Sequence, residues 1–218
     1  MAGEDRTQVT VLLVDDHAVV REGYRRLLER QGDIAVIGEA ADAATAYTSF
    51  CRLDPRIVVM DITLPGSSGI EAAARMLAHR PDARVLIFSM HEDAIFAKRA
   101  LQSGAVGYVT KASAPHVLVE AVHAIAAGRK YLSADIACKL ALGDFVDGLS
   151  AAEALSTREF EVLRQLAQGR SIKEIALSMG LNAKTVSNHQ SAIKQKLNVD
   201  TAIQLFNKAA QMGLAQPR

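Results

Sequence analysis

The chain has 218 residues, half of them hydrophobic, a net charge of +1 and two cysteines, so it can hold one large domain or two small ones around a sizeable core. Cys51 and Cys138 stand alone, which excludes a disulfide framework or a cysteine zinc site and leaves them as packing residues. No apolar run approaches the ~18 residues of a spanning helix, and Met1 to Gln8 is polar without a signal-peptide segment, so no membrane role and a cytoplasmic setting are expected.

The near-neutral total hides an asymmetry. Residues 1–150 carry 16 Lys/Arg and 19 Asp/Glu, whereas residues 151–218 carry 9 and 5. An acidic module followed by a basic one is the expected layout, and a basic module points toward nucleic acid. Thr10-Val-Leu-Leu-Val14 suits a strand buried on both faces and ends in Asp15-Asp16. A helix is expected from His17 to Glu29, with Val20, Tyr24, Leu27 and Leu28 at helical spacing and Gly32 closing it. Ile34 to Ala40 reads as a strand, and Asp42 to Leu53 as a helix stopped by Asp54-Pro55. Arg56-Ile-Val-Val-Met60 is the third strand. It ends on Asp61, and Leu64-Pro65-Gly66 and Gly69 then leave that carboxylate in a loop mouth.

A helix follows from Ile70 to His79. Arg84 to Ser89 is a fourth strand ending in a hydroxyl, and a helix spans Asp93 to Gln102. Val106 to Thr110 is a fifth strand ending at Lys111, followed by a helix from Pro115 to Ala127. Five β–α units in succession predict a doubly wound five-stranded parallel α/β sheet over residues 10–128. The alternation then stops. One short helix is expected within Tyr131 to Leu142, and Gly143 to Glu153 reads as a connector, so 129–153 is taken as a linker. Ser156-x-x-Glu159 and Ser171-x-x-Glu174 are capping boxes. They open helices to Gln168 and Gly180. A third helix starts at Asn182 or Ala183 and runs to Leu197, and a fourth spans Asp200 to Met212. An all-α four-helix domain is expected over 154–218.

In an open α/β sheet, ligands gather outside the carboxyl ends of the strands. Asp15, Asp16, Asp61, Ser89 and Lys111 all fall at that edge. Three carboxylates repel one another unless a cation intervenes, and oxygen-only ligands favour Mg2+. Asp61 is then free to act as a nucleophile toward phosphorus while Lys111 neutralises the oxygens in flight. Singly, each residue has a plainer role: the aspartates as caps, Ser89 in a turn, Lys111 on the surface. Convergence is what argues for chemistry.

Residues 10–128 resemble a receiver domain of bacterial two-component response regulators. The resemblance rests on Val-Asp-Asp at 14–16, Met-Asp-Ile-Thr-Leu-Pro-Gly at 60–66 with Gly69, Ser89, and Val-Thr-Lys at 109–111. It implies that a sensor histidine kinase donates a phosphoryl group to Asp61. It also implies that Asp16, Asp61 and the Thr63 carbonyl hold Mg2+ directly, with Asp15 acting through water. Lys111 contacts the phosphoryl group, and Ser89 and Tyr108 are the paired hydroxyl and aromatic switch. Ala112 stands where many receivers have proline, which leaves the geometry of the Lys111–Ala112 peptide open. Phosphorylation adds about −1.5 to −2 charge and three acceptor oxygens. Ser89 moving toward them vacates space for Tyr108 and biases a two-state surface. Thr63 and His91 are expected to tune the access of water to Asp61.

Ser171 to Leu197 has a helix–turn–helix cadence around Gly180-Leu-Asn182. The second helix is expected to enter the major groove, with Val186, Ile193 and Leu197 facing inward. Its outer face, with Lys184, Ser187, Asn188, Gln190, Ser191, Lys194 and Gln195, suits DNA or plain solvent. Residues 155–214 resemble a LuxR-type helix–turn–helix domain through Leu-Ser-Thr-Arg-Glu-Phe-Glu-Val-Leu at 155–163, Gly-Arg-Ser-Ile-Lys-Glu-Ile-Ala at 169–176, Lys-Thr-Val-Ser-Asn-His at 184–189 and Lys-Gln-Lys-Leu-Asn-Val at 194–199. The resemblance implies Ser187, Asn188 and Ser191 at bases, and Lys184, Thr185, Lys194 and Lys196 at phosphates.

Together the modules resemble the NarL/FixJ type of response regulator. That implies a phosphorylation-regulated transcription regulator rather than an enzyme, with a double-stranded operator and RNA polymerase as partners. A homodimer on two half-sites is expected. The stripe Ala202, Leu205, Phe206 and Ala209 suits either core or dimer contact. The unphosphorylated receiver either covers the recognition helix or blocks pairing. Two other classes of protein share part of this pattern. An aspartyl-phosphate phosphatase of the haloacid-dehalogenase kind would place its nucleophile on the first strand, two residues before a second Asp. A small-ligand-sensing LuxR-type regulator would need neither the acidic cluster nor Lys111.

Overall fold

The structure is a computed structural model that describes residues 8–30, 32–65, 67–143, 154–212 and 214. The turn residue Gly66, the polar start at 1–7 and the connector over 144–153 lie outside the described residues. Two compact units emerge, Met1–Ala141 and Leu142–Arg218.

The first unit runs β1 (Val9–Val14), α1 (Ala18–Glu29), β2 (Ile34–Ala40), α2 (Ala43–Leu53), β3 (Ile57–Met60), α3 (Gly69–His79), β4 (Val85–Ser89), α4 (Ala94–Gln102), β5 (Gly107–Thr110), α5 (Pro115–Ala126), β6 (Tyr131–Leu132) and α6 (Ala134–Gly143). The sheet is parallel, in the order β2-β1-β3-β4-β5-β6. Side chains on a strand alternate between faces. Val11, Leu13, Ile57, Val59, Leu86, Phe88 and Val109 form one core with Leu28 of α1 and Leu118, Val122 and Ile125 of α5. Their neighbours Leu12, Val14, Val58, Met60 and Ile87 are equally buried, as are Phe50, Met76 and Phe96 of α2, α3 and α4. This is the doubly wound, flavodoxin-like fold expected, with one more strand.

That strand corrects the reading of residues 129–153 as linker. Tyr131–Leu132 is not helical: it pairs with Gly107 and Tyr108 of β5, and the helix begins only at Ala134. Gly107 makes the pairing possible, because a Cβ there would lie 2.9 Å from the Tyr131 carbonyl oxygen. Ile136 of α6 is fully buried. The first unit therefore extends past residue 128, to Ala141. At the N-terminal ends of β3 and β4, Arg56 and Arg84 donate to the Ala126 carbonyl at 2.8 Å each, and Arg84 also to Ile125, closing the C-terminus of α5. Cys51 and Cys138 are both exposed rather than packed.

The second unit comprises α7 (Thr157–Ala167), α8 (Ile172–Ser178), α9 (Ala183–Leu197) and α10 (Ala202–Gln211). Both expected capping boxes form, at Ser156/Glu159 and Ser171/Glu174, and Thr201/Gln204 makes a third. Asn182 caps α9, which settles that helix's start at Ala183. Phe160, Leu163, Ile175, Val186, Ile193 and Leu205 build the core. The α10 stripe divides: Leu205 and Ala209 are buried, whereas Ala202 and Phe206 are exposed. Among the described residues, no helix is long and apolar enough to cross a membrane.

Candidate functional site

The register of β1 on β3 sets Val14 opposite Met60, so Asp15 and Asp61 leave neighbouring strands side by side. The Asp61 amide bonds the Val14 carbonyl at 2.9 Å, and the Lys111 amide bonds the Ser89 carbonyl at 2.8 Å. The Lys111 ammonium thereby reaches across the edge. Its Nζ donates to Asp61 Oδ2 at 2.5 Å and also to Asp15 Oδ2. Both aspartates are buried, at 2% and 4% exposure, so one cation serves two carboxylates largely out of water. Burial works against the Lys111 charge, but Asp61 and Asp15 outweigh it and hold its pKa above the usual lysine value.

Asp16 sits further out. His17 Nδ1 lies 2.7 Å from Asp16 Oδ1 and 3.4 Å from Asp15 Oδ1, and the His17 amide donates to Asp15 Oδ1 at 2.8 Å. One ligand atom from each of Asp15, Asp16 and His17 falls within 4.8 Å of the others. By helical spacing alone His17 is only the start of a helix; its adjacency to the acid pair is the signal for a role in the pocket. The pocket holds three carboxylates against one ammonium, and its hard oxygen donors and surplus negative charge fit a divalent cation.

Gly69 shapes the mouth. A Cβ there would stand 1.8 Å from the Asp61 carbonyl oxygen, so the chain can pass beneath the aspartate only as glycine. The Gly69 amide bonds the Ile62 carbonyl at 2.8 Å and closes the turn.

His91 connects the remaining residues. Its Nε2 lies 3.1 Å from Thr63 Oγ1, and the Thr63 amide donates to Asp61 Oδ1 at 3.3 Å. The His91 ring stacks on Phe96 with centroids 4.2 Å apart. Its amide donates to Ser89 Oγ at 3.4 Å, and its carbonyl accepts the Tyr108 hydroxyl at 2.7 Å. Ser89 and Tyr108 are both fully buried. Tyr108 therefore occupies an enclosed site beside Ser89. Burial pushes its phenol well above the usual range, and Asp61, Asp93 and Asp135 push the same way. The Lys111–Ala112 peptide is trans.

In the second unit, α9 buries Val186, Ile193 and Leu197 as its periodicity predicts. Lys184, Asn188 and Ser191 are exposed, and Thr185 and Ser187 are half-exposed. The Ser187 and Ser191 hydroxyls donate back to the Ala183 and Ser187 carbonyls at 3.0 and 3.1 Å. Thr185 Oγ1 bonds Asn182 Oδ1 at 3.0 Å, and Lys194 donates to the Asp200 carbonyl at 3.1 Å. Lys196, expected at a phosphate, makes an ion pair within this unit. Its Nζ donates to Glu159 Oε2 at 2.7 Å, tying α9 to α7. Burial opposes the charge on Glu159, yet Lys196 and the Ser156 amide hold its carboxyl below the usual range.

An α/β unit with a lysine-bridged acid pocket at its sheet edge, followed by a helix–turn–helix unit, defines a two-module signalling protein: a receiver and a DNA-binding output. Residues 11–123 match the response regulator receiver domain, and residues 153–209 match the luxR family of bacterial regulatory proteins. The response regulator UvrY of Escherichia coli (strain K12) is 32% identical over 209 residues, 94% of this chain and 95% of that protein. Among solved structures, a LuxR-family two-component response regulator from Aurantimonas sp. SI85-9A1 is 51% identical with a TM-score of 0.62, covering 63% of this chain and 98% of that one. RcsB from Salmonella enterica serovar Typhimurium, bound to promoter P1flhDC in the presence of phosphomimetic BeF3-, is 27% identical with a TM-score of 0.63, over 92% and 98%. The chain belongs to the response regulators of the NarL/FixJ type. It is a phosphorylation-regulated, DNA-binding transcription regulator.

Proposed function

We propose that Asp61 is the phosphoacceptor and that a sensor histidine kinase is the donor. The observation that carries this reading is the single Lys111 ammonium shared by buried Asp15 and Asp61. A carboxylate oxygen of Asp61 attacks phosphorus and forms a P–O bond. The P–N bond to the donor imidazole breaks, and its electron pair leaves with the nitrogen. Lys111 stays beside the oxygens as their charge shifts. Asp15, Asp16, Asp61 and the Thr63 carbonyl would hold Mg2+, with Asp15 acting through water. When bound, that ion neutralises the phosphoryl oxygens.

The Ser89 hydroxyl then turns from the His91 amide toward the phosphoryl group. Tyr108, anchored on the same His91, is the residue that registers the change. The output unit lays α9 into the major groove, with Ser187, Asn188 and Ser191 at bases and Lys184, Thr185 and Lys194 at phosphates. A homodimer on two half-sites and contact with RNA polymerase complete the scheme, in the cytoplasm. The RcsB relative bound to a promoter supports the DNA half.

Acetyl phosphate and Mg2+ test the reading. The wild-type chain gains the mass of one phosphoryl group and Asp61→Asn gains none. Sustained hydrolysis of a phosphoester substrate would instead favour a phosphatase.

A further inference from the structure

We infer that the Thr110–Asp135 hydrogen bond couples the phosphorylation pocket to α6, the helix by which the chain leaves its first unit. The inference rests on Asp61 being the phosphoacceptor. Thr110 is buried and immediately precedes Lys111. Its Oγ1 lies 3.0 Å from Asp135 Oδ2 and 2.9 Å from Ser113 Oγ. An ionised carboxylate only accepts, so Thr110 donates to Asp135 and Ser113 donates to Thr110. Burial opposes the charge on Asp135, but the nearby Ser133 hydroxyl and the hydrogen bond from Thr110 hold its carboxyl below the usual range, so it is an ionised acceptor at neutral pH.

The backbone makes the same connection one step away. The Ser133 amide bonds the Tyr108 carbonyl at 3.0 Å, while the Ser133 carbonyl accepts the Ala137 amide at 2.9 Å. The first turn of α6 is thus tied to the switch tyrosine by its backbone and to the neighbour of the pocket lysine by a side chain. Movement of Lys111 toward a phosphoryl group pulls on Thr110. Through Asp135, that pull reaches a helix that leads in sequence to the output unit. A coupling of this kind is a free energy shared by two places, and removing the bond should uncouple them without emptying either.

Asp135 in a first turn also steadies the helix start as any acid there does. Thr110→Val separates the two roles, because it removes only the hydroxyl and leaves Asp135 in the helix. The test measures amide hydrogen exchange over residues 134–143 in the full chain, with and without beryllofluoride and Mg2+. Uptake at Asp61 is followed separately by fluorine resonance.

Wild type should change its exchange in α6 on beryllofluoride uptake. Thr110→Val should still take up beryllofluoride, yet lose about tenfold of that response. Thr110→Ser, which retains the hydroxyl, should restore it. A Thr110→Val chain responding as wild type does would overturn the inference. So would a wild-type chain that takes up beryllofluoride with no change in α6, a result that needs no variant to fold. A wild-type chain that takes up none would overturn the phosphoacceptor reading first, and this inference with it.

Discussion

Lys111 Nζ and Asp61 Oδ2 meet at 2.5 Å inside the first unit, and the same nitrogen also holds Asp15. Lys111→Met would leave two buried carboxylates facing each other without a cation. Stability at neutral pH should fall by about 3 kcal/mol. Mg2+ should recover much of that loss in the variant, because it supplies the missing charge. The lysine pKa is raised in the fold. Its increment is therefore complete below the usual value of 10.5 and disappears only as the pH climbs beyond it. Urea unfolding at pH 7 to 11, with and without Mg2+, measures both effects. Indifference of the variant to Mg2+ would count against a cation site.

Gly69→Ala should damage the pocket more than its size suggests. The new methyl meets the Asp61 carbonyl oxygen, which is backbone and has no rotamer to yield. A loss of about 3 kcal/mol is expected for the first unit, together with poor phosphorylation by acetyl phosphate. Calorimetry should show the second unit melting unchanged.

Glu159→Gln keeps an acceptor for the capping box but removes the charge opposite Lys196. At pH 7 the second unit should lose about 1–2 kcal/mol. The folded pKa of Glu159 is depressed. Its increment is therefore present above the usual glutamate value of 4.5 and is lost as the pH falls from there through the lower folded value. Thermal unfolding of wild type and variant should converge below pH 4.5. A gap that is constant with pH would mean the ion pair is idle.

Asn188→Ala and Lys184→Ala should separate base reading from phosphate contact. The first should shift sequence preference by about 1–3 kcal/mol at one base position, with little change on random duplex. The second should weaken all duplexes alike and reduce the salt slope by about 1. Equal losses on selected and random DNA for Asn188→Ala would remove it from the base-reading set.

Much of this was legible because it is local. Continuous apolar runs ending in Asp15-Asp16, Asp61, Ser89 and Thr110-Lys111 mark strands by their own composition, and right-handed connection brings their ends to one edge. The capping boxes at Ser156 and Ser171 likewise announce themselves within four residues. What escaped depends on distant partners. Tyr131-Leu132 is too short for any alternation to show, and it becomes a strand because Gly107 lets it approach. Lys196 lies on a helix face that periodicity assigns to the outside. That pattern says nothing of a carboxylate 37 residues upstream. Tyr108 is legible as the aromatic of a switch pair, but nothing near it in sequence shows that the His91 carbonyl accepts its hydroxyl.

The short sixth strand has an outcome for how copies of the protein can meet. With Tyr131 and Leu132 alongside it, β5 is flanked by strands on both sides. Gly107 and Tyr108, its first half, are thus paired on both sides and shielded from templating a foreign strand. The switch strand is guarded against accidental edge-to-edge polymerisation. The long edge of the sheet is β2, separated from the switch strand by β1, β3 and β4, so a strand added there would leave β5 and its tyrosine untouched.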